Sequence, residues 1–400
     1  MKLVRKQTLL VGQESTQGTA VVNVAANDYL EVMNLKQEPN LEKLKRLVAT
    51  STLDKRPDVI GKRYRMISFE VEAKGPGSGA SGVKTTAGFK ALAALLEACQ
   101  FICTVAASNS ISEVQVTAGG TGYSSSFDVT FTGGGGTGAT GKAIAVGGVV
   151  VAVFITNPGT GYATDPTPVF TAGAGTGATG TVTRGGSLLF SLVSDAASAN
   201  YPGPGKSVTM DMNLDGRYRQ MAGCLGTVSL KVGAGGYPVF AFEMLGTFTA
   251  ATEVAMPAVG TNAVKPERWH NQKVVIAGFA SPVISKFEYA LNGKVAIRED
   301  GRSVGAIKGF VAGDRDPMGS AQFEAETVST FDIESTVVNA TEAVTGVEFG
   351  STVGVKFYFY APKTQVQDPK ESGRDIFLDD TVGLKFNSNA GNDSHQFLFT

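Results

Sequence analysis

The chain has 400 residues, enough for two or three domains, with ordinary apolar content and 50 glycines. A net charge of −1 lacks the basic excess that a non-specific nucleic-acid binder needs. No run approaches the roughly 18 apolar residues of a membrane span. The cysteines Cys99, Cys103 and Cys224 are sparse and odd in number, which points to a reducing compartment and no disulfide framework.

Met1 to Gln13 carries Lys2, Arg5 and Lys6, but its apolar run, Thr8 to Val11, is too short for a signal-peptide core. Lys36 to Arg63 is charged and lacks periodicity, which predicts a long solvated or functional loop. Ile67, Phe69, Val71 and Ala73 then alternate with Glu70 and Glu72, the pattern of a strand with one apolar and one acidic face. Phe89, Leu92, Leu95, Leu96 and Cys99 recur at helical spacing and predict a helix over 89–103.

A repeat follows. Gly-Thr-Gly-Tyr at 120–123 recurs at 159–162, and Gly-Thr-Gly-Ala-Thr-Gly at 136–141 recurs at 175–180, both at an offset of 39. Two matches without a slip mean two copies of one small unit. Between Ala107 and Gly186 the only charged residues are Glu113, Asp128, Lys142, Asp165 and Arg184. Short β-branched runs separated by glycine turns predict a small all-β module. Its Tyr123 and Tyr162 are candidate surface contacts for a glycan or protein; the other role open to them is the core of each repeat. Gly136 to Lys142 mimics a phosphate-binding loop, but Ala143 stands where a hydroxyl should meet magnesium. A strand pattern follows, so no helix N-terminus would cradle phosphate.

A fainter duplication flanks the module. Phe69-Glu70-Val71-Glu72 matches Phe323-Glu324-Ala325-Glu326, and each precedes a helical pattern, the second over Thr330 to Val344 with Ser329 as candidate cap and Gly346 as stop. Thr227 to Val232 matches Thr381 to Phe386, and Phe240 and Phe242 match Phe397 and Phe399. The fold expected is mainly β: two tandem β-sandwich or barrel domains, each with a flanking helix, plus the small all-β insert domain. The boundaries are 1–107 with 186–252 for the first domain, 108–185 for the insert, 253–271 for a linker and 272–400 for the second domain.

Catalytic constellations are missing from the sequence. His270 and His395 have no metal-ligand partner at helix or hairpin spacing, and Cys99 with Cys103 completes no zinc site. Glu70 and Glu72 have a spacing compatible with glycosidase carboxylates, but no aromatic platform surrounds them. The chain is therefore read as a non-enzyme without cofactor or metal.

The opening Leu9-Leu10-Val11-Gly12-Gln13-Glu14-Ser15-Thr16-Gln17-Gly18-Thr19 resembles the start of tail tube proteins of long, non-contractile-tailed bacteriophages. Arg65 to Ala73, the helix through Leu92 to Ala98, Leu225 to Leu230 with Phe240-Ala241-Phe242, and Phe331-Asp332-Ile333 extend the resemblance over residues 1–105 and 187–400. It implies a virion protein, assembled in the host bacterial cytoplasm, whose rings stack into a tube. The inner sheets of such rings join into one barrel, and DNA crosses the lumen without specific binding. Two tandem domains would make the ring a homotrimer with pseudo-sixfold symmetry, contacting other tail proteins. Glu70, Glu72, Glu324 and Glu326 are then candidates for an acidic lumen; their other placement is the outside of the tube. A competing reading is a virion or surface adhesin whose glycine-rich module binds glycan.

Overall fold

The computed structural model describes residues 6–49, 51, 54–77, 89–196, 199–201, 203–260, 262–270, 272–280, 282–352, 354–374 and 376–400. Strand makes up 56% of it and helix 4%, so the chain is mainly β. The first half opens with β1 (Gln7–Gln13), β2 (Tyr29–Leu30), β3 (Met33–Leu44) and β4 (Val59–Glu72). Helix α1 (Phe89–Ala98) leads into the long strand β5 (Phe101–Thr121). Strands β6 (Ser126–Thr132), β7 (Thr140–Val146), β8 (Val149–Asn157) and β9 (Thr167–Phe170) form the glycine-rich module, and β10 (Thr176–Leu192) returns along β5. The half closes with β11 (Val208–Leu214), β12 (Arg217–Gly233), β13 (Val239–Thr247) and β14 (Thr252–Glu253).

The second half begins with β15 (Val274–Ile276), β16 (Phe279–Ala280) and β17 (Ile284–Ala290). A hairpin, β18 (Val295–Glu299) and β19 (Ile307–Ala312), precedes β20 (Met318–Glu324) and helix α2 (Ile333–Val338). Then come β21 (Glu342–Phe349), β22 (Phe357–Arg374), β23 (Phe377–Asn387) and β24 (Gln396–Phe399).

The same strand order occurs twice. In one sheet β3, β4, β13 and β12 lie side by side, followed by β17, β20, β23 and β22. The seam between the sets is the antiparallel pair β12 and β17, from Ser229↔Ala290 to Gly233↔Lys286. The facing layer repeats too: β2, β1, β11, β12, β14 in the first half and β16, β15, β21, β22, β24 in the second. Both β12 and β22 are long, and each gives its N-terminal part to this layer and its C-terminal part to the eight-stranded sheet. Phenylalanines fill the space between layers: Phe240 meets Phe357, Phe397 and Phe399 with ring centroids 5.8, 5.6 and 6.4 Å apart. One hydrophobic cluster runs through both halves, so the two units are fused by sheet and core.

Several sequence expectations change. The charged stretch from Lys36 is a loop only in part: β3 and β4 form a long hairpin, and the described residues between Leu44 and Val59 are non-strand and exposed. The hairpin's outer edge is solvated on both faces, which erases the apolar alternation. The first helix ends at Ala98, because Phe101 to Leu192 pairs across β5 and β10. The second is only Ile333–Val338, capped by the Asp332 side chain, which accepts from Ser335 N at 2.9 Å, and not by Ser329. Gly346 lies inside β21. The match of Thr227–Val232 to Thr381–Phe386 is one strand out of step: by neighbours, β12 corresponds to β22 and β13 to β23.

Candidate functional site: an open-edged sheet and its glycine-rich module

The eight-stranded sheet has two free ends. Among the described residues β3 pairs only with β4, and residues 366–374 of β22 pair only with β23. Unpaired edges of this length offer N–H and C=O groups to another chain. Beside the β22 edge, Ile376 is 91% exposed and Phe377 and Leu378 are each 51% exposed.

One face of this sheet covers the core; the other is polar and open. Glu70 lies on the open face, hydrogen-bonded by Asn34 at 2.6 Å, and Glu72 and Glu324 share that face. The glutamates do not stand alone there, because cations share the face. Lys74 binds Glu72 at 2.9 Å, Lys286 binds Glu288 at 2.9 Å, and Arg374 binds Glu324 at 3.0 Å. Lys231 stands opposite Glu288 on the neighbouring strand. Lys74 lies just after the first Phe-Glu-x-Glu motif, and the other cations come from β12, β17 and β22, strands that the motif does not cover. Glu326 lies outside the strand, exposed in the turn before α2.

Tyr123 and Tyr162 are not surface contacts: only 6% and 2% of each is exposed. Their surroundings explain both repeated motifs. A Cβ on Gly175 would collide with the Tyr123 ring, and one on Gly136 would collide with the Tyr162 ring. The tyrosine of each Gly-Thr-Gly-Tyr string thus lies on the first glycine of the other repeat's Gly-Thr-Gly-Ala-Thr-Gly string. Tyr123 Oη accepts a hydrogen bond from Ala178 N at 3.1 Å, and its ring stacks on Phe127 at 5.1 Å. The repeats interlock reciprocally, so neither completes its core alone. Gly136→Val or Gly175→Val should cost about 2–3 kcal/mol by overpacking. Hydrogen exchange should speed up across β6–β9 while the eight-stranded sheet keeps its protection. Unchanged exchange in the module would refute the interlock.

The module is seated on the host. Phe154 of β8 packs against Tyr358 and Tyr360 of β22 at 6.3 and 6.0 Å, over Gly346, where a Cβ would collide with its ring. Val275, Val344 and Leu398 join the same cluster. At its base Ala106 lies opposite Ser187, so the chain leaves and returns at neighbouring points. A clean excision of 108–185 would nonetheless uncover this apolar seat. Lys142, from the phosphate-loop lookalike, sits on β7 and binds Asp128 at 3.0 Å.

The histidines are apart. His395 is fully buried, donating to or accepting from Tyr289 Oη at 2.5 Å, and burial lowers its pKa to about 3. His270 is exposed near Trp269, which packs on Phe349 at 6.1 Å. Among the described residues no group of three or more His, Cys, Asp or Glu could hold a metal, and no helix is long and apolar enough to cross a membrane. No family model matches the chain, and no curated protein is detectably similar to it.

Proposed function

We propose that this chain is the subunit of a phage-type tail tube: three chains close into a ring, and rings stack into a conduit for DNA. The observation that carries this reading is the repeated strand order with a free edge at each end. The seam at β12 and β17 joins the last strand of one set to the first strand of the next. By the same correspondence β22 of one chain would join β3 of another, and each of three chains would contribute eight strands to one closed barrel. The polar face would then line the lumen. Its alternating charges suit a wall that neither binds nor strongly repels phosphate. The adhesin reading loses its two aromatic contacts, because both tyrosines are buried.

The seam also indicates what an interface needs. The turn after β12 is bonded to the start of the second half: Ala234 N donates to Ser285 O at 2.9 Å, and Trp269 N to Gly236 O at 2.7 Å. After β22 the turn carries Ile376, and Phe377 and Leu378 open β23; all three are exposed in the single chain. Ile376→Asp with Phe377→Asp should leave the monomer folded and weaken ring closure about 100-fold, taking roughly 1.5–3 kcal/mol for each buried side chain. Native mass spectrometry should give trimers for the unmodified chain and monomers for the variant. A monomeric unmodified chain, or an unaffected variant, would overturn the reading.

A further inference from the structure

Four arginines gather at one end of the first half. Arg63 and Arg65 of β4 place their guanidinium groups 5.9 and 5.0 Å from the centre of the Phe248 ring. Arg217 and Arg219 come from the N-terminal part of β12, which Ala222 N ties to Thr247 Oγ1 at 3.0 Å. Arg65 is only 4% exposed; it donates to Gln37 Oε1 and Thr249 O, both at 3.0 Å, and its Nε is buried without a partner. Arg219 Nη1 is also buried without a partner. Burial, then Arg219 and Arg217, push the Arg65 pKa down. Burial, then Arg217, does the same to Arg219.

Among the described residues none of these four makes an ion pair. The nearby Glu42 and Glu299 are taken by Lys62, at 3.9 and 2.8 Å. A guanidinium does not give up its proton at any ordinary pH, and an anion offsets its burial more fully than the neutral acceptors and the Phe248 face that Arg65 already meets. Glu253 stands opposite Arg217 on β14, but among the described residues it makes no ion pair with the cluster, and it reaches neither of the buried guanidinium nitrogens as a hydrogen-bond partner.

The opposite charge occurs at the other end of the sheet. Arg65 pairs with Gly246, and although the strands are staggered, the ends of the following strands on that side hold Leu225 of β12, Ala290 of β17, Met318 of β20 and Lys385 of β23. The far end is marked by Glu72, Gly233, Ile284, Glu324 and Phe377. There Glu371 and Asp380 stand directly opposite each other on β22 and β23, an unfavourable placement for like charges. Burial, then Glu371 and Asp379, raise the Asp380 pKa. Arg374 serves Glu324 and Asp379 instead, each at 3.0 Å.

We propose that the arginine cluster is a docking site for the Glu371–Asp380 carboxylates of a second copy of this chain, stacked end to end on the first. The inference rests on the tube reading and supplies its contact between rings. The unpaired arginines and the Glu371–Asp380 carboxylates lie towards opposite ends of the sheet, and stacking in one direction brings the two together. Arginine suits the role because its planar fork takes carboxylates bidentately. The contact also fixes polarity, since like ends repel.

The test uses the full-length chain with Arg219→Glu and Asp380→Arg made separately, and Arg219→Gln as a milder variant. Trimers should persist in native mass spectra of all three. Each charge reversal alone should cut the mass of pelletable tube about tenfold or more. Mixing the two reversed chains should restore tubes, since every contact between unlike rings again joins opposite charges. Tubes formed at full yield by Arg219→Glu alone, or no rescue on mixing, would overturn the proposal. So would inorganic phosphate raising the Tm of the unmodified chain and not of Arg219→Gln while both form equal tubes, because the cluster would then be a free-oxyanion site. An unmodified chain that never trimerises would sink the ring reading itself, and the stacking contact with it.

Discussion

Glu14→Ala should lower the stability of the chain by about 3–5 kcal/mol, the largest loss we expect from any single side chain in the first half. Glu14 is 2% exposed. Its carboxylate accepts from Ser207 Oγ at 2.6 Å, Thr209 Oγ1 at 2.7 Å, Gly18 N at 2.7 Å and Gly223 N at 2.8 Å. Its carbonyl accepts from Tyr201 Oη. These donors come from the loop after β1, from the segment entering β11 and from β12, so one carboxylate ties three parts of the layer together. Alanine would leave four donors stranded in a site closed to water, each costing about 1–3 kcal/mol before relaxation. Glu14→Gln keeps the shape but turns an amide N–H₂ towards donors, and should lose about half as much. Urea denaturation followed by far-UV circular dichroism measures both. Equal midpoints for Glu14→Ala and the unmodified chain would show that the layer closes without this hub. Glu14 stood in the sequence only as part of an N-terminal motif; apart from Gly18, its partners lie 187 to 209 positions away, where no local pattern could mark them.

What the sequence revealed follows from how each element meets water. The strand Ile67–Ala73 was legible because one side is buried and the other wet, which writes period two into the residues. The duplication was legible through that strand, since Glu70 on β4 and Glu324 on β20 lie on the second strand of their four-strand sets. The next match slipped by one strand for a physical reason. β22, the true counterpart of β12, is broken by a register shift between Gln367 and Lys370 that spoils its alternation. Thr381–Phe386 on β23 keeps clean alternation and therefore imitates β12. The hairpin of β3 and β4 was illegible because an edge strand with both faces solvated carries no apolar code.

The site residues divide in the same way. The repeat strings announced a module, but similarity at a fixed offset does not say whether a tyrosine points in or out. The glycines matched to each ring settle it only in three dimensions. The glutamates announced a polar face; Glu72 is balanced locally by Lys74, but the partner of Glu324, Arg374, comes from another strand. The arginine cluster is assembled from β4 and β12, with Phe248 between them. Residues about 150 positions apart share no spacing that a sequence pattern could report.

The module's attachment should depend on one ion pair. Lys356, immediately before β22, is 1% exposed, and its ammonium is bound by Glu113 of β5. Lys273 approaches the same carboxylate at 3.6 Å. Glu348 lies close by, its pKa raised by burial and restrained by Lys273 and Lys356. Glu113 is thus the module-bearing strand's anchor to the second half, beside the apolar seat of Phe154. Glu113→Ala leaves an ammonium buried in a nearly dry site and should cost about 3–5 kcal/mol, the usual result of removing one partner of a buried pair. The loss should appear first as faster hydrogen exchange in β8 and the outer parts of β5 and β10, because the seat opens before the host core does. Replacing both partners, Glu113→Leu with Lys356→Met, removes the stranded charge as well as the bond and should recover most of the stability. If the double variant is no more stable than Glu113→Ala, the penalty comes from lost packing, and the anchor is apolar contact at Phe154 in place of charge.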